Sequence, residues 1–384
     1  MPSVSEFLLA RKKKNPELRI GSLHEIYQTQ KLPAIPTGNP VFDYVTSVGG
    51  IPRGVVTEIR GFASAGKTTA AAMAIAKHQA AVKAGTSTGA VLYLDFEYAV
   101  SADYFSALGV DVSDEDTFVY MQPETLEEGM NEFLQWTKAG MLAMGVVDSV
   151  AAASSEAEYD KEVGKASIGL RARGFSQALR MAVGPMRVHG TSLILINHTQ
   201  DSIPMAYGEI SRKVSPGGKA MDYYTSLRIE LERPKLNRDP AAFDELTNSK
   251  IKQVTSTEVT VIAFKNKVGV PHRTGQMRVE FGKGFDVTYS SFQILVDHKY
   301  IKAKGGGVFA FPDELLPDEE VTIPRGTDNV IDLIKSIPSW QEKIDRVARA
   351  LVLSQQVEQS ETEELILSDE IIDDETGEIL NDGH

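Results

Sequence analysis

One short stretch of the chain has the spacing of a phosphate-binding loop. In 61–68, two glycines with four residues between them are followed directly by Lys67 and Thr68. The glycines let the backbone turn so that successive N–H groups point at phosphate oxygens, as a nucleoside triphosphate site requires. Lys67 would reach the outer phosphates, and the Thr68 hydroxyl would hold a magnesium ion. The residues of this predicted site are Gly61, Phe62, Ala63, Ser64, Ala65, Gly66, Lys67, Thr68 and Thr69.

The segments on either side of the loop are those that such a loop needs. Residues 55–59 are mostly β-branched, which is typical of a buried strand, and 69–83 are rich in alanine, which favours a helix. The start of that helix would add the positive end of its dipole to the phosphate site. The alternative is a glycine-rich turn that merely precedes a helix, and the two flanking segments disfavour it.

Two acidic residues follow predicted strands. Asp148 ends the apolar run 144–147, and Glu97 comes directly after the run 91–96. A carboxylate in such a position can bind a metal ion or polarise a water molecule. We predict Asp148 as the second magnesium partner and Glu97 as the residue that polarises the attacking water. A helix N-cap is the alternative for Asp148, and an ordinary surface carboxylate is the alternative for Glu97.

Strands and helices alternate through the first half of the chain. The predicted strands are 89–95, 118–121, 141–148 and 192–197, and the predicted helices are 102–108, 126–138 and 166–188. Apolar strands between amphipathic helices indicate an α/β fold with a mostly parallel sheet covered by helices on both faces. Ligands of such folds bind at the carboxyl ends of the strands. Further along, the pattern predicts half-exposed strands at 226–233, 258–267 and 276–281, a surface excursion at 237–255, and helices at 330–337 and 344–353.

Composition excludes several classes of protein. The 384 residues include no cysteine, which excludes disulfides and thiolate metal sites. No apolar run reaches the roughly 18 residues of a membrane span, so we expect a cytoplasmic protein without a membrane partner. The formal charge is −13, but residues 350–384 hold eleven acidic residues and no Lys or Arg; −13 less the tail's −11 leaves −2 elsewhere. The net charge therefore does not exclude a nucleic-acid partner.

Six stretches of the chain, in the same order, resemble the RecA family of recombinases over residues 33–310. They are 95–99, 107–111, 147–152, 169–173, 176–180 and 264–267. The resemblance implies a RecA-type core that uses ATP and Mg²⁺ and hydrolyses ATP when DNA is bound. It also implies a homo-oligomer, a helical filament on single-stranded DNA that pairs with double-stranded DNA during strand exchange. It leaves open the origin, bacterial or phage, and which single-strand-binding protein or loader the filament meets.

The same resemblance assigns roles to single residues. Glu97 matches the family's catalytic glutamate, and Tyr104 matches the aromatic residue that stacks on adenine. Lys265 and Lys267 match a pair that reaches the ATP of the neighbouring subunit. His198 stands where the family senses the terminal phosphate, usually with glutamine, and the histidine is similar to the phage UvsX type. From the residues alone, the alternative for Tyr104 is a core residue, and the alternative for the lysines is two same-face residues of a solvated strand edge.

Two regions are candidates for binding DNA. Arg173 and Arg180 are seven residues apart, as are Arg180 and Arg187, which places all three on one face of a helix with Arg171 near its start. Such a stripe suits a phosphate backbone, and a solvated face paired with carboxylates is the alternative. The second region is the long polar loop 199–219. Its candidate contacts are Met205, Tyr207, Arg212, Lys213, Gly217 and Gly218, and the resemblance adds a first loop at about 156–168 with Ile168 as an apolar wedge.

These observations predict four parts of the chain. They are an N-terminal oligomerisation arm (1–35), a RecA-like ATPase core (36–285), a small C-terminal domain (286–353) and an acidic disordered tail (354–384). Ser101 and Asp222 differ from residues that are common in the family, which weakens the transfer of its DNA contacts. Two other functions stay open: a RecA-fold ATPase that works as a ring, such as a helicase, and an ATP-binding recombination accessory protein.

Overall fold

The computed structural model describes residues 3–15, 19–22, 34–159, 170–201, 213–214, 218–232, 235–239, 243–244, 249–250, 253–354, 371–372 and 379–380. The chain divides into two compact units, Met1–Pro33 and Ala34–His384. In the first unit, helix α1 spans Val4–Lys14 and starts with a capping box. Its two hydrogen bonds run from Glu6 N to Ser3 Oγ (3.2 Å) and from Ser3 N to Glu6 Oε2 (2.8 Å).

Strands and helices alternate in the second unit, as the hydrophobic pattern predicts. Its described helices are α2 (Pro40–Thr46), α3 (Lys67–Lys83), α4 (Ala102–Ala107), α5 (Leu126–Lys138), α6 (Glu156–Tyr159), α7 (Leu170–His189), α8 (Lys219–Tyr224), α9 (Val287–Asp297), α10 (Thr327–Ser336) and α11 (Pro338–Ser354), with a 3₁₀ helix at Asp313–Leu315. None of these helices has the length and apolar character that crossing a membrane requires.

The described strands follow the same numbering. They are β1 (Val56–Gly61), β2 (Ala90–Asp95), β3 (Phe118–Met121), β4 (Leu142–Asp148), β5 (Ser192–His198), β6 (Gln200–Asp201), β7 (Lys213–Val214), β8 (Thr225–Leu231), β9 (Lys235–Asp239), β10 (Phe243–Asp244), β11 (Ser249–Lys250), β12 (Gln253–Asn266), β13 (Thr274–Glu280), β14 (Gly284–Phe285), β15 (Lys302–Ala303), β16 (Phe309–Ala310), β17 (Ile371–Ile372) and β18 (Ile379–Leu380).

One large sheet organises the second unit. Its order is β14-β13-β12-β8-β1-β5-β4-β2-β3, and β9 joins it by pairing with β12. The strands from β8 to β3 in this order pair in parallel. The strands β9, β12, β13 and β14 pair antiparallel. The predicted fold class is therefore confirmed: α/β with a mostly parallel sheet.

The region 237–255 corrects one prediction. It is not entirely a surface excursion, because β9 pairs with the first half of β12 in antiparallel register. Strand β12 begins at Gln253 rather than at Glu258 and ends at Asn266, so Lys267 lies just past its end. The polar composition of this region hides the pairing, because neither β9 nor the first five residues of β12 show the alternation of a half-buried strand.

Helices cover both faces of the sheet. On β1 and β5, Ile59, Ile194 and Ile196 face a core that includes residues of α2, α3, α9, α10 and α11. Leu193 and Leu195 face a second core with α5 and α7. Because the central strands are parallel, the carboxyl ends of β1, β2, β4 and β5 meet at one edge of the sheet. The residues that the sequence predicts to bind and hydrolyse a nucleoside triphosphate follow these strand ends.

The C-terminal helices pack on the first of these cores. Trp340 of α11 is fully buried, and its Nε1 donates to the carbonyl oxygen of Leu315 at 2.6 Å. Lys335 of α10 bonds the carboxylates of Glu280 and Asp286 at 3.1 and 2.9 Å. A domain boundary near residue 286 stays a prediction, as do the other boundaries.

Candidate functional site

The connection between β1 and α3 has the backbone of a phosphate cradle. Ser64 and Gly66 have positive φ angles of 59° and 91°. A Cβ atom on Gly61 would lie 2.5 Å from the carbonyl oxygen of Leu231, so only glycine fits there. Gly66 caps α3 without a side-chain hydrogen bond, which leaves the first N–H groups of the helix available to an anion.

Lys67 is the cation of this cradle. Its Nζ donates to the carbonyl oxygens of Gly61 (3.2 Å) and Phe62 (2.8 Å). Burial lowers the pKa of Lys67, and the charges of Asp148 and Glu97 oppose this shift. This buried ammonium can exchange the two carbonyl oxygens for phosphate oxygens, with which it would form stronger, charge-assisted hydrogen bonds.

Asp148 and Thr68 supply oxygen atoms that fit a magnesium ion. Thr68 Oγ1 donates to Asp148 Oδ2 at 2.9 Å, and the Tyr93 hydroxyl donates to the same oxygen at 2.6 Å. Burial raises the pKa of Asp148, while these two hydrogen bonds act to lower it. A carboxylate and a hydroxyl are hard oxygen ligands, which Mg²⁺ prefers. The donor set therefore fits the predicted metal.

Glu97 lies next to this oxygen pair and is held by two other side chains. Ser149 Oγ donates to Glu97 Oε1 at 2.5 Å, and His198 Nε2 lies 3.0 Å from the same oxygen. Burial alone would raise the pKa of Glu97, but the hydrogen bonds from Ser149 and His198 and the charge of Lys67 lower it overall. Glu97 is therefore an ionised acceptor at neutral pH, oriented at the end of β2.

The turn that carries Glu97 is fixed by Asp95. Asp95 Oδ1 accepts from Glu97 N at 3.0 Å, and its Oδ2 accepts from Ala99 N and Val100 N at 3.0 and 3.1 Å. The hydroxyl of Tyr120 donates to the same Oδ2 at 2.8 Å. Sequence reasoning missed this role, although an aspartate two residues before a turn residue is a recognised signal for an Asx turn.

Tyr104 and the two lysines occupy different surroundings. The Tyr104 hydroxyl lies 2.7 Å from Thr69 Oγ1, directly after the phosphate loop, and its ring packs partly against the first core. Lys265 Nζ donates to the carbonyl oxygen of Asp222 and lies 3.4 Å from Thr225 Oγ1. Lys267 is exposed beyond the end of β12. The register of β12 against β8 shifts between Ala263 and Lys265, so Lys265 directly follows an irregularity of the strand.

The predicted DNA contacts divide into described and undescribed positions. Arg173, Arg180 and Arg187 are exposed on α7, as their spacing predicts. Arg171 is engaged: its Nη1 donates to Ala151 O at 2.6 Å, and its Nε lies 3.6 Å from Glu158 Oε2. Lys213 lies in β7, which pairs with β6, and Gly218 precedes α8 with φ of 60°. Ile168, Met205, Tyr207, Arg212 and Gly217 lie outside the described residues.

A strand, a phosphate cradle and a helix, with carboxylates on the neighbouring strand ends, define a P-loop protein of the nucleoside-triphosphate-binding class. The family model described as "RecA N-terminal domain" matches residues 12–286 of the chain. The chain is 34% identical over 319 residues to the protein RecA of Thermotoga neapolitana, covering 83% of this chain and 84% of that one. It is 36% identical over 287 residues to the protein RecA of Mycolicibacterium vanbaalenii, covering 75% of each. The chain therefore belongs to the RecA family of recombinases.

Proposed function

We propose that this recombinase is a DNA-dependent ATPase that assembles on single-stranded DNA as a helical filament and exchanges strands with homologous double-stranded DNA. One observation carries the proposal: Lys67 and Thr68 at the start of α3 lie together with Glu97, Asp148 and His198 at the ends of β2, β4 and β5. His198 Nε2 lies 3.0 Å from Glu97 Oε1, and Thr68 donates to Asp148, so Lys67, a base and a metal-binding pair would lie within reach of one triphosphate.

Each side chain has a separate task in hydrolysis. The N–H groups of the loop and Lys67 would bind the phosphates of ATP, and Tyr104 would lie against the adenine. Thr68 and Asp148 would hold Mg²⁺, which neutralises charge on the phosphate oxygens when bound. Glu97 would accept a proton from the water that attacks the terminal phosphate, because its carboxylate is ionised and held in place.

His198 would connect the nucleotide to the DNA loop. In this structure its Nε2 lies 3.0 Å from Glu97 Oε1. It ends β5, and the chain continues after Thr199 into β6, which pairs with β7 at the other end of the loop. A terminal phosphate that attracts the imidazole would compete with Glu97 for it. Nucleotide binding would then move the base of the loop, which is an order-disorder type of switch.

Assembly would complete the site. Lys265 and Lys267 would approach the ATP of a neighbouring subunit and neutralise developing charge there, as arginine fingers do. Their described contacts are with their own α8 and β8 rather than with their own phosphate loop. Residues 1–35 would serve as the arm that joins neighbouring subunits.

DNA would bind along α7 and the two loops. The exposed Arg173 and Arg180 would neutralise phosphates, so affinity should fall steeply as salt rises. Lys213, Arg212 and the other loop residues named above would contribute without reading sequence, because stacking and charge are independent of base identity. Arg171 would act within the protein, since its guanidinium already binds the carbonyl of Ala151.

The test compares ATP hydrolysis with and without a single-stranded oligonucleotide. We expect stimulation by DNA, helical filaments in electron micrographs with an ATP analogue, and joint molecules between homologous substrates. Closed rings in the micrographs would favour a ring ATPase, and filaments without joint molecules would favour an accessory protein. Full-speed hydrolysis by an isolated subunit, indifferent to DNA, would contradict the proposal.

A further inference from the structure

Two tyrosines stand side by side behind the phosphate site. Tyr93 of β2 and Tyr120 of β3 are direct partners in the parallel register. Their rings are stacked, with centroids 6.3 Å apart and 23° between the planes. The two hydroxyl groups reach different carboxylates: Tyr93 donates to Asp148 at 2.6 Å, and Tyr120 donates to Asp95 at 2.8 Å. The pair therefore bonds two of the three carboxylates described at the site, those of Asp148 and Asp95.

Packing alone does not account for these hydroxyls. Tyr93 is fully buried, and its ring lies edge-on to Phe105 at 5.3 Å, so a phenylalanine would fill the same space. A buried hydroxyl is unfavourable unless it is hydrogen-bonded. Burial raises the pKa of Tyr93 well above its usual value. Tyr120 is 40% exposed, and its partial burial together with its hydrogen bond to Asp95 raises its pKa to about 12. Both hydroxyls therefore stay protonated and donate hydrogen bonds to the carboxylates.

The two carboxylates have different tasks. Asp148 Oδ2 accepts from both Tyr93 and Thr68, so the tyrosine fixes the orientation in which this oxygen faces the hydroxyl of the phosphate loop. Asp95 fixes the turn that carries Glu97, and Tyr120 binds the same Oδ2 that holds the far side of that turn. One stacked pair thus supports the metal side and the base side of the site.

We propose that Tyr93 and Tyr120 are positioning residues for hydrolysis: Tyr93 orients Asp148 toward the metal ion, and Tyr120 orients the Glu97 turn through Asp95. The inference rests on the proposed function, because it assigns tasks within that nucleotide site. The proposal predicts separable effects of the two substitutions. Loss of a group that orients a metal ligand changes the affinity for the metal, and loss of a group that orients a base changes turnover.

The experiment uses the full chain and two single variants. In Tyr93→Phe, the Mg²⁺ concentration that half-saturates binding of a non-hydrolysable ATP analogue, measured by calorimetry, should rise about tenfold. In Tyr120→Phe, this concentration should stay the same, while kcat for DNA-stimulated hydrolysis should fall about threefold. Melting temperatures of both variants report any purely structural loss.

Tyr300→Phe is the matched control. Its hydroxyl also faces a carboxylate, that of Glu314 at 3.4 Å, but it lies between α9 and the 3₁₀ helix. It should leave both readouts unchanged. An unchanged Mg²⁺ requirement in Tyr93→Phe would overturn the role of Tyr93 in orienting Asp148. If Tyr93→Phe does not fold, an unchanged kcat in Tyr120→Phe would overturn the proposal that the two tyrosines are positioning residues. A wild-type chain that binds Mg²⁺ and nucleotide but shows no DNA-stimulated hydrolysis would overturn the proposed function instead.

Discussion

Two groups of buried polar side chains lie on the same sheet, and they differ in how their charges are neutralised. At the carboxyl edge, the described hydrogen-bond acceptors of Lys67 are two loop carbonyls, and Asp148 is held by two neutral hydroxyls. Earlier along β1 and β8, Glu58 pairs with Arg228 at 2.5 Å, and Arg60 pairs with Glu230 at 2.7 Å. We refer to these last four residues as the closed cluster.

The closed cluster is completed by groups of the protein itself. Asn197 Nδ2 donates to Glu58 Oε1 at 2.9 Å. The ring of Phe264 lies 3.8 Å from the guanidinium carbon of Arg60 and 4.9 Å from that of Arg228. Each acid of the closed cluster therefore meets a cation. At the phosphate edge, Lys67 feels the charges of Asp148 and Glu97 but donates its described hydrogen bonds to loop carbonyls rather than to a carboxylate. Removing one partner of a buried ion pair is costly, whereas a cation bonded to neutral acceptors is available to a ligand.

The largest expected effect is at the phosphate edge. Lys67→Ala should lower ATP hydrolysis by at least about a thousandfold, because it removes the charge that faces the developing negative charge of the phosphate. The melting temperature should change little, since Nζ binds only two loop carbonyls among the described contacts. Phosphate release and circular dichroism measure the two quantities.

Lys83→Ala is the control for this variant. Lys83 ends the same helix and pairs with Asp111 at 3.2 Å on the surface, so its loss should leave hydrolysis unchanged. A similar fall in both variants, or unfolding of Lys67→Ala, would show that the helix rather than the charge is responsible.

The next largest effect should come from the closed cluster, and it should appear in stability. Glu58→Ala leaves the buried guanidinium of Arg228 without its buried partner, with the largely exposed Asp222 still paired to it, and should lower the free energy of unfolding by about 3–5 kcal/mol in urea denaturation. The double variant Glu58→Leu with Arg228→Leu should recover much of this loss, because no unpaired charge stays buried. A loss below about 1 kcal/mol in the single variant would mean that the cluster is solvated.

Sequence reasoning predicted the phosphate edge far better than the closed cluster. The loop 61–68 has a local signature, and apolar runs ending in Asp148 or before Glu97 place both acids at strand ends without knowledge of strand order. Glu58 and Arg228 are 170 residues apart and meet only because β1 and β8 are neighbours in the sheet. No local pattern contains that information.

Aromatic residues in strands show the same limit. Tyr93 lies inside an apolar run, where the pattern predicts a core residue, and its ring is indeed in the core. The hydroxyl that reaches Asp148 depends on the distance between β2 and β4, which periodicity does not encode. Likewise Ser149, which binds Glu97, carries no signal of its own beyond its place after Asp148.

Asp43 is a third kind of buried acid, because its charge in the folded chain changes near neutral pH. Burial raises the pKa of Asp43 from 3.8 to about 7, and hydrogen bonds from Thr37 oppose this only in part. Because the folded chain holds this proton more tightly than the unfolded chain, the stabilisation is complete below about pH 4 and is lost as pH rises through about 7. Asp43→Asn keeps both bonds from Thr37, which go to one oxygen at 3.0 and 2.7 Å.

The wild-type chain should therefore lose about 2–3 kcal/mol of unfolding free energy relative to Asp43→Asn between pH 5 and pH 8. Urea denaturation of both proteins at the two pH values measures this difference, in which histidines and other titrating groups cancel. Parallel pH profiles would show that Asp43 ionises in the folded chain as it does in the unfolded one.

The smallest expected effect concerns Lys265, which lies near Arg228 and Glu58 of the closed cluster. Burial lowers the pKa of Lys265, and the charges of Lys267 and Arg228 lower it further, while Asp222 and Glu58 oppose the shift. Its Nζ donates to a backbone carbonyl of its own chain, so Lys265 is not part of the ion pairs of the closed cluster.

If Lys265 completes the phosphate edge of a neighbouring subunit, Lys265→Ala should lower DNA-stimulated hydrolysis about tenfold and leave the affinity of the isolated subunit for ATP unchanged. Lys283→Ala, which removes an exposed lysine beside Glu280, serves as the control. Hydrolysis and fluorescent-nucleotide binding are measured at subunit concentrations below and above assembly. An equal loss in dilute subunits without DNA would place Lys265 in its own nucleotide site, and the charge needed for hydrolysis would then come from a single chain rather than from the contact between two.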